Sequence, residues 1–105
     1  MEGEGVSEAH LRRVLWYVLA GTRGGIMRIR IIELIKDRPY NANQIKEELK
    51  VDYKTVQHHL RVLVENRVLT TSEEKKYGSV YFLSPLVEKN SHIIDEIRAK
   101  LGKTK

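Results

Sequence analysis

The chain has no cysteine, so disulfides, thiol redox sensing and cysteine-ligated metal sites are excluded. It has no apolar run near the length of a membrane span, since Val14 to Ala20 is far too short, and no membrane partner is expected. A secretory leader is missing as well: Met1-Glu2-Gly3-Glu4-Gly5 is acidic and glycine-rich, which points to a cytoplasmic protein. Gly21-Thr22-Arg23-Gly24-Gly25 has the glycines of a nucleotide loop but not the Gly-Lys-Ser/Thr ending that binds phosphate and magnesium. The carboxylates lie in lysine-interleaved helical runs or in the β-rich stretch near Glu73 and Glu74, and no serine or threonine nucleophile motif is present. Neither an enzyme nor a cofactor is expected, and no small-molecule effector can be identified.

What remains is a 105-residue chain, long enough for one compact domain with a single core. Its net charge of +5 is unevenly spread. Residues 21–40 hold five basic and two acidic groups, and residues 86–105 hold five and three. The first 20 residues are net acidic. This balance suits a polyanionic partner and would equally serve solubility.

Asp52 to Asn66 reads as one helix with two unlike faces. Asp52 suits the N-cap, where its carboxylate accepts from free N–H groups, and Asn66 suits a left-handed stop with Arg67 beside it. Val56, Leu60 and Leu63 recur at the spacing of a buried stripe. Lys54, His58 and Arg61 point the other way, flanked by Thr55 and Gln57, and no carboxylate interrupts them before Glu65. Cations, amides and hydroxyls are the groups that meet phosphates and base edges in a DNA groove. An ordinary solvated helix would show a similar face, so its neighbours decide.

Upstream, Pro39 to Leu49 reads as a shorter helix capped by Asn41, with Gln44 placed for a capping box. Only Lys50 and Val51 separate it from Asp52, and the expected turn glycine is missing. Helix, tight turn and polar-faced helix form a helix-turn-helix unit. Downstream, the β-rich runs Val68–Glu74 and Ser79–Leu83 flank Lys75-Lys76-Tyr77-Gly78, which predicts a hairpin. Lys75, Lys76 and Tyr77 at its tip are expected to touch DNA backbone, with Glu73 and Glu74 offsetting the charge.

Between about Thr22 and Leu83 the chain resembles the ArsR-like winged-helix transcription regulators, in the form common in archaea. The pieces that carry the resemblance are Thr22-Arg23-Gly24-Gly25, Pro39-Tyr40-Asn41-Ala42-Asn43-Gln44-Ile45, Asp52-Tyr53-Lys54-Thr55-Val56, His58-His59-Leu60-Arg61-Val62-Leu63 and Tyr81-Phe82-Leu83-Ser84. The resemblance implies a sequence-specific double-stranded DNA-binding regulator, usually a homodimer. Tyr53 and Asn43, within these motifs, join the expected DNA contacts. Arg23 joins them beside glycines at a helix start, whose N–H groups can hold a phosphate.

A first helix is expected over residues 7–20, capped by Ser7, with Leu11, Val14, Leu15, Val18 and Leu19 on one stripe and Trp16 and Tyr17 off it. A helix from Ile26 to Lys36 should bury some of Met27, Ile31, Leu34 and Ile35, leaving Arg28 and Arg30 as phosphate contacts or surface charge. A last helix begins at Ser84-Pro85, where Val87, Asn90, Ile94, Ile97 and Leu101 follow the spacing of a coiled-coil seam with one polar member. From this we expect a homodimer built on the first and last helices, with Leu11, Val14, Leu15 and Val18 facing that seam and an Asn90 pair fixing the register.

His58 and His59 diverge by about 100° on a helix and cannot readily share a metal ion. His58 reads as a DNA contact and His59 as a hydrogen-bonded packing residue. His92 with Asp95 or Glu96 is spaced for a surface ion pair. Metal sensors of the resembled family have a fuller set of ligands than Glu88-Lys89-Asn90-Ser91-His92, so no metal is expected.

The expected fold is α+β, mostly α: a winged helix-turn-helix with additional terminal helices forming a dimer interface. The parts are a flexible N-terminus (1–6), the winged domain with the first helix (7–85), and a dimerisation helix with basic tail (86–105). The expected function is sequence-specific regulation, as a repressor on a palindromic operator. The alternative is a winged-helix module that binds protein, with weak or no DNA affinity.

Overall fold

The computed structural model describes residues 7–72 and 78–102. In chain order the elements are α1 (Glu8–Ala20), α2 (Gly25–Ile35), β1 (Tyr40–Asn41), α3 (Ala42–Leu49), α4 (Tyr53–Glu65), β2 (Leu69–Thr71), β3 (Val80–Leu83), α5 (Pro85–Lys89) and α6 (His92–Gly102). The expected flexible segment 1–6 and basic tail 103–105 lie outside the described residues.

Local chemistry starts most of the helices. Ser7, Asn41, Asp52 and Ser84 each accept a backbone N–H from the first turn that follows. At Asn41 the full capping box forms: Gln44 N–H donates to the Asn41 side chain at 2.8 Å, and Gln44 Oε1 accepts from Asn41 N–H at 2.9 Å. Lys50 takes the left-handed conformation, φ 58°, that a glycine would adopt more readily, and so turns the chain from α3 into α4. At the other end of α4 the expectation needs correcting. Asn66 stays right-handed at φ −95°, with its side chain bonded back to Val62 O, and Arg67 takes the positive φ of 62°.

The strands form one antiparallel sheet in the order β1-β3-β2. Leu69 pairs with Leu83 and Thr71 with Tyr81, which is the expected hairpin. The sequence reading missed β1. Tyr40 and Asn41, just ahead of α3, pair with Tyr81 and Val80 and so fasten the helix-turn-helix to the wing. This arrangement of helices and small sheet is a winged helix-turn-helix fold.

The core runs through the whole protomer. Leu15, Val18, Ile31, Ile45, Leu63 and Ile97 are all fully buried, and each such side chain contributes about 1.5–3 kcal/mol of transfer free energy. Much of the apolar surface that the sequence assigned to a dimer seam is therefore part of this core. Leu11, Leu15, Val18, Val87, Ile94 and Ile97 are consumed inside the single chain, where α6 packs on α1; Val14, Asn90 and Leu101 are half-buried. The continuous seam is also broken. Asn90 donates its amide to Leu86 O at 2.9 Å and caps α5, so a new helix starts at His92. No described helix is long and apolar enough to cross a membrane.

Candidate nucleic-acid interface

Burial divides α4 as its spacing requires. Val56, Leu60 and Leu63 enter the core, and Lys54, Thr55, Gln57, His58 and Arg61 are exposed. The N-cap locks the start of this face: Asp52 accepts from Thr55 N–H at 3.1 Å and from the Thr55 hydroxyl at 3.3 Å. That engages the carboxylate at the helix end where positive backbone dipoles favour it. Thr55 retains lone pairs as an acceptor. Tyr53 opens the helix with 41% of its surface exposed.

A groove of about 280 Å³ runs between α4 and the base of the wing, lined by Gln57, Arg61, Val64, Glu65, Thr71 and Tyr81. Two expected readout residues therefore lie beside two wing residues that the sequence reading had not placed in a site. Tyr81 was visible as part of a β-rich run and of the Tyr81-Phe82-Leu83-Ser84 motif, without a contact role. Nothing in its spacing tells a groove-lining tyrosine from one that packs inward. Asn43 is exposed on the first turn of α3. The wing-tip contacts Lys75, Lys76 and Tyr77, with Glu73 and Glu74, lie outside the described residues.

Arg23 is exposed next to the start of α2, where the N-cap Gly24 offers no side chain to the free N–H groups. The glycines here have a packing role. A Cβ on Gly25 would lie 2.0 Å from Leu19 O, and one on Gly24 would lie 2.3 Å from His59 Cε1. Gly25 thus lets the backbone of α1, and Gly24 the side chain of His59 on α4, approach the start of α2 closely.

Arg28 corrects the sequence reading outright. It is neither a phosphate contact nor surface charge, since only 3% of it is exposed. Its Nε donates to Val18 O at 3.0 Å, one Nη donates to Thr22 Oγ1, and the other lies 2.9 Å from His59 Nδ1. His59 is thus the buried, hydrogen-bonded packing residue that the helix geometry called for. Burial lowers the pKa of both groups from their ordinary values, and for His59 the Arg28 charge and then His58 lower it further.

The other histidine pair is an ion-pair network. Glu8 Oε2 sits 2.8 Å from an Arg12 Nη and 3.4 Å from His92 Nε2, while Arg12 also pairs with Glu96. Asp95 turns to Arg98, at 3.3 Å. His92 and its acidic neighbours are thus spent on linking α1 to α6 and on pairing along α6. Among the described residues no group of three metal-binding side chains converges.

With this geometry in place, known proteins supply a comparison. Residues 27–71 match the family model described as bacterial regulatory protein, arsR family. The match spans α2 to β2, which is the helix-turn-helix and the first wing strand, and less than half of the chain. Among curated proteins none matches. Among solved structures, reduced HlyU from Vibrio cholerae N16961 is similar with a TM-score of 0.62 at 15% identity, over 88% of this chain and 87% of that one. A possible transcriptional regulator from Methanosarcina mazei Go1 is similar with a TM-score of 0.56 at 20% identity, over 99% of this chain and 89% of that one. At such identities the likeness concerns the fold.

Proposed function

We propose that this protein is a DNA-binding transcription regulator that reads double-stranded DNA with α4. The observation that carries the reading is the exposed face of Lys54, Gln57, His58 and Arg61, with no carboxylate before Glu65 in the last turn, on a helix whose other side is fixed in the core. The arsR family match over the same segment, and fold neighbours that include a possible transcriptional regulator, support it. The form is the archaeal one of that family. Gln57, His58 and Arg61 read base edges, with Tyr53, Lys54, Thr55 and Asn43 at the groove entrance and Arg23 on a phosphate at the start of α2. Lys75, Lys76 and Tyr77 follow the backbone from the wing.

The protein acts as a homodimer on a palindromic operator, with half-sites about 34 Å apart or a multiple of that, and represses by occluding a promoter. Apolar surface left on the protomer supports pairing. Tyr17 and Ile26 are 62% and 63% exposed, and Ile26, Ile29 and Leu101 line an apolar cleft near the end of α6.

Alanine variants in a titration against salt test the contact assignments. Arg61→Ala should narrow the gap between operator and unrelated DNA by about 1–3 kcal/mol, whereas Lys76→Ala should weaken binding to all DNA and flatten the salt slope by about one unit. An unchanged sequence preference in the Arg61 variant removes Arg61 from the readout.

A further inference from the structure

One buried guanidinium joins three parts of the chain that lie far apart in sequence. Arg28 on α2 reaches the end of α1 through Val18 O, the α1–α2 turn through Thr22, and α4 through His59 Nδ1. Among the described residues no carboxylate comes within ion-pair distance of Arg28 or His59. A guanidinium has only donors, so the histidine nitrogen that faces it must be the unprotonated one. The neutral ring then carries its proton on Nε2. Gly24 closes the site, because a Cβ there would stand 2.3 Å from His59 Cε1 and 2.7 Å from Arg28 Nη1.

Protonation changes the contact in kind. A charged imidazole has donors on both nitrogens. The 2.9 Å hydrogen bond would become a contact between two cations, with no counter-charge beside them, in a site that water barely reaches. No neighbouring group relieves this. The groups that face the pair are Arg28 itself from α2, the Thr22 hydroxyl from the turn, the Tyr17 phenol from α1, which acts on Arg28, and His58 on α4, its ring centroid 5.1 Å from that of His59. His59 is one residue from His58 and two from Gln57 and Arg61, so a shift of its ring moves the face of α4 that is proposed to read DNA.

We propose that the Arg28–His59 hydrogen bond is a proton-sensitive lock that seats α4, so that sequence-specific DNA binding falls as the pH drops below neutral. The proposal rests on the DNA-binding reading. Its sign is distinctive, because added positive charge on a DNA-binding surface otherwise strengthens DNA binding. The lowered pKa of His59 agrees with the direction. The unfolded chain takes up a proton near the ordinary histidine value of about 6.5 and the folded chain only below it. The lock's contribution is therefore complete above that value and is lost as pH falls through the folded-state pKa.

The test uses the full chain and has two readouts. Imidazole-selective ¹H–¹⁵N NMR of the free protein, across the ordinary value of about 6.5, should show His59 protonated on Nε2 only and titrating below that value. Circular dichroism should show the helices intact as it titrates. Affinity for a DNA site selected at neutral pH should then fall tenfold or more on acidification through the same midpoint. His59→Gln, whose Oε1 can accept from Arg28 without titrating, should keep its affinity over that range. A proton on Nδ1, titration at or above the ordinary value, global unfolding at the His59 midpoint, or affinity that rises on acidification would each overturn the lock. Should His59→Gln not fold, the wild-type titration and affinity decide alone. Absence of DNA binding at every pH would instead defeat the DNA-binding reading, and the NMR result would still judge the hydrogen bond.

Discussion

At the start of α2 the backbone of α1 leaves no room for a methyl group. A Cβ on Gly25 would meet Leu19 O at 2.0 Å, and a backbone oxygen inside a helix cannot swing away as a side chain can. Gly25→Ala should therefore destabilise the protein by about 1–3 kcal/mol, seen as a lower urea midpoint at unchanged slope. An unchanged midpoint would mean that α1 and α2 can separate freely here. The same region shows where single residues escape sequence reading. Arg28 lies in Gly-Ile-Met-Arg-Ile-Arg-Ile-Ile-Glu-Leu-Ile, a helix with apolar residues on nearly every side, so periodicity does not choose its buried face. Its burial depends on Thr22 and on His59, 31 positions away, which no local pattern reports. The exposed residues of α4 were legible because a strong apolar stripe fixed the opposite face.

At the scale of elements, local start signals made the bounds of several helices legible. Asn41 and Gln44 announce α3, and Asp52 announces α4. Asn41→Ala removes one half of a capping box and should cost about 0.5–2 kcal/mol; a smaller loss would mean that β1 pairing alone holds the entry to α3. The Arg12 pairs with Glu8 and Glu96 are exposed, so Arg12→Ala should cost no more than about 1 kcal/mol, most of it screened by added salt. Two elements were not legible. The strand β1 is two residues long and exists only through pairing with β3, some forty positions away. The last helix reads as continuous because its apolar spacing runs straight through Asn90; the break comes from one side-chain bond, Asn90 Nδ2 to Leu86 O.

At the scale of the molecule, α6 belongs to the protomer core, where Ile93 and Ile97 are fully buried. Ile97→Ala should destabilise the folded chain by about 2–5 kcal/mol, to the same extent at every protein concentration. A loss confined to dilute solution would return α6 to an interface between chains. The proposed pairing of two chains would then use the surface near Tyr17, Ile26 and Leu101; of these the sequence placed only Leu101 in a seam, because neither Tyr17 nor Ile26 lies on a stripe. Whether α4 reads DNA sequence is decided by selection from a random duplex pool at two salt concentrations, followed by sequencing of what the protein retains. Enrichment of a palindrome whose half-sites are spaced by about 34 Å or a multiple, retained at the higher salt, is the expected result. Retention without enrichment, lost as salt rises, would show phosphate binding alone, and no retention at either salt would rule out DNA reading by α4.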